Sequence, residues 1–90
     1  MTKVIYKYNL QVEGTQIISM PKGAEVLSVQ AQHGKPCLWA LVCPEVEEEE
    51  VKIRTVPTGA DLDTQNLKYI GTYQILNGSF VGHLFIQENH

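Results

Sequence analysis

Apolar and polar residues alternate along most of this chain, and no stretch carries the three-to-four spacing of an amphipathic helix. In Val4–Leu10, the residues Val4, Tyr6, Tyr8 and Leu10 share one face, with Lys7 and Asn9 on the other. Val12-Glu13-Gly14 reads as a turn, and Thr15–Met20 as a second strand ended by Pro21. Pro21-Lys22-Gly23 is the next turn, since Pro fixes φ and Gly frees it. Within Glu25–His33, Leu27, Val29 and Ala31 face one way and Ser28, Gln30 and Gln32 the other. His33-Gly34-Lys35-Pro36 forms a compact hairpin loop. The return strand, Cys37–Cys43, is apolar on both faces, which places it centrally with cover on both sides.

Pro44 and an acidic tract lead into Val51–Val56, another alternating strand. Pro57–Asn66 is the longest irregular segment and is longer than the usual connection. A single helical turn is expected there, near Leu62–Asn66. The last pair, Leu67–Leu76 and Ser79–Gln87, flanks Asn77-Gly78, the dipeptide favoured in a type I′ hairpin turn. About seven strands with no linker or repeat predict one mainly β domain over residues 1–90. Its form would be a small antiparallel sandwich or partly open barrel with at most one short helical turn.

Composition sharpens this picture. A 90-residue chain buries only about 60–65% of its unfolded surface, so the core is thin and self-association is a natural way to bury more. Net charge is −3, but five of the ten acids lie in one tract: Glu45, Glu47, Glu48, Glu49 and Glu50. The remainder carries seven Lys and Arg against five acids. Seven scattered cations make no stripe, which argues against duplex nucleic acid as the partner. No stretch reaches the ~18–20 apolar residues of a membrane span. The first residues lack a continuous apolar segment, since Lys7 interrupts the run, so a cytoplasmic location (the host cytosol, given the resemblance below) is the expectation. Cys37 and Cys43, about 20 Å apart along one strand, are expected to be free thiols.

The candidate chemistry is sparse. His33, His83 and His90 show no metal-ligand spacing, and the cysteines lack a Cys-x-x-Cys pair, so no metal or cofactor is expected. His83 reads as a sheet histidine, although Gly82 beside it lets another group approach closely. Glu47, Glu48, Glu49 and Glu50 form a solvated edge or loop, or a surface that docks a basic protein. Thr55-Val56-Pro57-Thr58-Gly59 is the most pocket-like segment. Thr58 and Gly59 offer a hydroxyl and backbone N–H groups to an anion, with Arg54 as a bidentate donor; a plain turn is the alternative. Most aromatics alternate into core positions, and exposed ones accept a stacked base.

The segments Met20-Pro21-Lys22-Gly23-Ala24-Glu25 and Gly34-Lys35-Pro36-Cys37-Leu38-Trp39-Ala40, with Tyr69-Ile70-Gly71-Thr72-Tyr73 and Gly78-Ser79-Phe80-Val81-Gly82-His83, resemble a family of short uncharacterised bacteriophage and prophage proteins. The likeness runs over nearly the whole chain. It implies a phage setting and supplies no catalytic residue. Members of that family commonly carry Asp-Pro where this chain has Cys43-Pro44, which counts against an essential thiol.

No nucleophile–base pair, metal set or paired carboxylates emerge, so a non-enzymatic binder is expected. The first reading is a homo-oligomeric phage accessory protein that sequesters a small phosphorylated, nucleotide-derived ligand against host defence. Its contacts would be Arg54, Thr58, Gly59, Gln30, Gln32, Tyr69, Thr72 and His83. The second is an inhibitor or adaptor that docks a host protein through Glu45–Glu50. The third is an accessory virion or assembly protein.

Overall fold

In the computed structural model, which describes residues 2–12 and 14–88, the alternating segments form seven strands. They are β1 (Val4–Asn9), β2 (Thr15–Pro21), β3 (Glu25–Gln32), β4 (Lys35–Val42), β5 (Glu48–Pro57), β6 (Leu67–Ile75) and β7 (Phe80–Gln87). All pairing is antiparallel. A front sheet runs β1-β4-β3 and a back sheet β2-β5-β7-β6, and the two stay open rather than closing into a barrel. The core lies between them, built from Val29, Leu38, Ala40 and Val42 of the front sheet and Met20, Ile53, Tyr73 and Leu84 of the back.

The sheets approach most closely where β3 meets β6. A Cβ on Gly71 would stand 2.7 Å from Val29 Cγ1, so only glycine admits this contact. Each of these two strands carries a register shift. In β3 it falls between Val26 and Ser28, and in β6 between Tyr69 and Gly71. Such bulges bend a strand and take it out of regular edge pairing. The β3 shift overturns one expectation: Leu27 does not join Val29 on the core face. Val26 opposite Ala40 takes that place, and Leu27 is 44% exposed.

β4 is central, as its apolar run implies, and its cover is uneven. Leu38, Ala40 and Val42 on the inner face are buried; on the outer face Cys37 is buried, whereas Trp39 and Leu41 are half-buried. The shared face of Val4, Tyr6, Tyr8 and Leu10 holds, with cover fading along it. Leu10 is buried, Tyr8 is partly so, and Val4 and Tyr6 are exposed. Burial pushes the Tyr8 phenol above its ordinary value, and the charge of Glu48 adds to the effect.

The turns follow their residues. Gln32 pairs with Lys35 across His33 and Gly34, both at positive φ, so β4 starts earlier than expected and includes Pro36. Asn77 and Gly78 also take positive φ, as a type I′ turn requires, with the Ser79 N–H bonded to the Leu76 carbonyl at 3.0 Å. The ladder resumes only at Ile75–Phe80, which makes this a four-residue loop. Its Leu76–Gly78 turn is of 3-10 type. The helical turn expected near Leu62–Asn66 does not form. The Asp63 carboxylate accepts the Gln65 N–H at 3.1 Å and Asn66 sits at φ 62°, a local turn that competes with helix. His90 and Glu13 lie outside the described residues.

Candidate functional site

Antiparallel register fixes which residues share the outer face of the back sheet. Arg54 of β5 lies opposite Phe85 of β7, which lies opposite Tyr69 of β6. Two residues along, Val56 lies opposite His83, which lies opposite Thr72. Tyr69 and Thr72 are three apart, so in a regular strand they would point to opposite faces. The β6 bulge absorbs Ile70 toward the core and returns both to the outer face. Their hydroxyls meet at 2.6 Å, and the Tyr69 ring meets Phe85 edge-on, with centroids 5.5 Å apart.

His83 ties this face together. Its Nδ1 is 2.9 Å from Thr72 Oγ1 and its Nε2 is 2.6 Å from Thr58 Oγ1. The result is one hydrogen-bonded row, Tyr69–Thr72–His83–Thr58, across β6, β7 and the turn after β5. Counting hydrogens shows what the row can do. With Nδ1 as acceptor, Tyr69 donates to Thr72, Thr72 to Nδ1 and the Nε2–H to Thr58, which leaves the Thr58 hydrogen unspent. With the other tautomer the direction reverses, and the Tyr69 hydrogen is unspent. With both nitrogens protonated, both terminal hydroxyls keep a spare hydrogen and the ring carries a positive charge. Protonating His83 therefore raises the outward donors from one to two, an arrangement suited to an anion.

Arg54 supplies the nearby cation. Its side chain is half-buried, and its Nε is buried with no hydrogen-bond partner among the described residues. A buried N–H left unpaired is costly, and an anion acceptor would relieve it.

Of the residues expected to hold a ligand, Arg54, Thr58, Tyr69, Thr72 and His83 thus come together on one face. Gly59 adjoins them at φ 90° in a turn closed by Ala60 N–H to the Pro57 carbonyl at 3.2 Å. The Thr58 N–H bonds the Val81 carbonyl at 3.4 Å. With two of the three amides spent, the segment works as a turn that positions the Thr58 hydroxyl rather than as an amide cradle. Gln30 and Gln32 lie elsewhere, on the outer face of the front sheet, opposite Cys37 and Lys35. The close approach expected at Gly82 is real but serves the core. A Cβ there would stand 2.7 Å from Tyr73 Cζ on the inner face, away from His83.

The acidic tract is exposed, and Glu48–Glu50 belong to β5 rather than to a loop, paired with Pro21–Ser19 of β2. Among the described residues the β7 ladder reaches β5 only at Ile53, and no described residue pairs with Glu48–Glu50 on that side. Both cysteines are buried and free of disulfide bonding. Among the described residues no three His, Cys, Asp or Glu side chains gather to hold a metal, and no helix is long and apolar enough to cross a membrane.

Sequence reasoning missed a groove of about 630 Å³ at the β3–β4 hairpin end of the front sheet, lined in part by Lys7, Asn9, Gln32, His33 and Lys35. Its residues come from β1 and from the hairpin, and no linear spacing joins them.

A model of the family described as "Domain of unknown function (DUF7352)" matches residues 1–90. No curated protein and no solved structure matches the chain.

Proposed function

This chain belongs to the DUF7352 family, whose description assigns no activity, and we propose its function from its own geometry: non-enzymatic binding of a small phosphorylated, nucleotide-like ligand on the outer face of the back sheet. The observation that carries the reading is the row Tyr69–Thr72–His83–Thr58 beside an Arg54 Nε that has no partner. Arg54 and the spare hydroxyl hydrogens would take phosphate oxygens. Tyr69, 56% exposed and braced edge-on by Phe85, would take a base face.

The same reading includes self-association. The accessible surface is 5923 Å², against roughly 5,300 Å² expected of a compact monomer of this mass. The strand β1 is an edge that exposes Val4, Ile5 and Tyr6. A second copy paired there would cover it, and the excess is on the order of one partner's share of a standard interface. The phage-like sequence pattern supports sequestration of a nucleotide-derived signal as the role.

Thermal shift and calorimetry across cyclic nucleotides and ADP-ribose derivatives test this. At least one ligand should bind, and Arg54→Gln should weaken it about tenfold or more, ~1.4 kcal/mol. A panel without a binder would remove the reading.

The exposed acidic stretch of β5 favours a second reading, docking of a basic protein surface through Glu47–Glu50. Capture of such a partner should weaken with salt and with Glu→Gln changes in the tract. Capture that survives both would count against it.

A further inference from the structure

We infer that the groove at the β3–β4 hairpin end is a second anion site, independent of the back-sheet face, and that it takes a phosphate group. The argument rests on what the groove displays. Among its described lining residues are Lys7, Lys35 and His33, and none of those described is acidic, although the chain as a whole carries net charge −3. A cationic concavity in an acidic protein concentrates anions locally.

Donor and acceptor accounting points the same way. The Lys7 ammonium donates to Gln32 Oε1 at 2.8 Å. Lys7 is on β1 and Gln32 on β3, so this bond spans the intervening strand β4. It holds the ammonium at the groove without neutralising it. Asn9 Oδ1 is engaged weakly by the Cys37 thiol at 3.7 Å, and the Lys35 carbonyl accepts the same thiol at 3.6 Å. Gln32 Oε1 therefore accepts from Lys7, while the single Cys37 S–H serves only one of its two acceptors; the NH₂ groups of Gln32 and Asn9 remain as donors.

The pattern left over is two ammonium groups and two amide NH₂ groups, with His33 at the rim. His33 is held there by the positive-φ hairpin turn at φ 53°. Two ammonium groups with no carboxylate among the described lining residues suit an oxyanion and disfavour a cation. The volume, about 630 Å³, admits a phosphate with a substituent attached.

Amide and side-chain NMR of labelled protein titrated with inorganic phosphate tests this. Saturable shifts are expected at Lys7, Asn9, Gln32, His33 and Lys35. The double variant Lys7→Gln/Lys35→Gln alters two exposed side chains, so the fold is retained. It should weaken the response at least tenfold, while Lys68→Gln, a change on exposed β6, leaves it intact. Shifts that never saturate, shifts absent from these residues, or equal losses in Lys68→Gln would each overturn the assignment. None of these readouts depends on the nucleotide panel.

Discussion

Gly82 and His83 are neighbours in sequence and serve opposite faces of the same sheet. On the inner face, the Tyr73 ring lies over Gly82, 2.7 Å from where a Cβ would stand, with Thr55 Cγ2 at 3.0 Å. Cross-strand cover of a glycine by an aromatic ring is a known way of pinning register. On the outer face, His83 uses both ring nitrogens on threonine hydroxyls. The polar accounting is inverted between the two. The exposed row is bonded end to end, while the buried Tyr73 hydroxyl and Thr55 Oγ1 have no partner in hydrogen-bonding geometry. Thr55 is near enough to offset part of the rise that burial imposes on the Tyr73 phenol, so the pair is an electrostatic contact rather than a formed hydrogen bond. The inner face sets stability and carries a small polar penalty. The outer face adds little to stability and holds its groups in place for something else.

Five substitutions separate the two faces. The largest effect belongs to Gly82→Ala, which forces the Tyr73 ring off its seat. It should cost about 1–3 kcal/mol in urea denaturation and leave ligand affinity of the folded fraction unchanged. Gly71→Ala, against Val29, should behave alike. An unchanged midpoint in both would mean that the close contacts are not tight. Next comes Arg54→Gln, with the affinity loss of about tenfold given above and no loss of stability, since the buried Nε–H it removes has no partner. Thr72→Val cuts the row at its middle and should cost about 0.5–1 kcal/mol of stability. It should also weaken ligand binding, read by calorimetry.

Tyr73→Phe has the smallest effect at neutral pH, under ~1 kcal/mol, because the hydroxyl it removes has no partner. Its signature lies in alkali. The folded-state phenol is raised above its ordinary value of 10.0, so the folded state binds its proton more tightly than the unfolded state does. That contribution is fully present below pH 10.0 and fades as pH rises through the folded value. Tyr73→Phe should therefore flatten the alkaline loss of stability, leaving the part due to Tyr8. An alkaline limb identical to that of the unchanged protein would contradict the burial of this phenol.

Much of the fold was legible in sequence because period-2 alternation and turn residues are local signals. The placement of the strands along the chain, the central β4 and the Asn77-Gly78 hairpin follow from them. The two bulges were not legible. Nothing in Val26-Leu27-Ser28 or Tyr69-Ile70-Gly71 announces an extra residue, and each is needed only because β3 packs on β6. The candidate site was half legible for the same reason. Thr58 and Arg54 could be chosen from the irregular segment beside β5, but Tyr69 joins Thr72 only through a bulge. Gln30 and Gln32 share their residue type with the site and not its sheet. The groove between β1 and the β3–β4 hairpin depends on strand order, which spacing along the chain does not encode.

The claim that the outer face of the back sheet is the working surface is tested most directly by mapping amide shifts in labelled protein as ADP-ribose is added. Saturable shifts centred on Arg54, Thr58, Tyr69, Thr72, His83 and Phe85 are the predicted result. Shifts absent from these residues while others saturate, or no saturable shift at all, would contradict it.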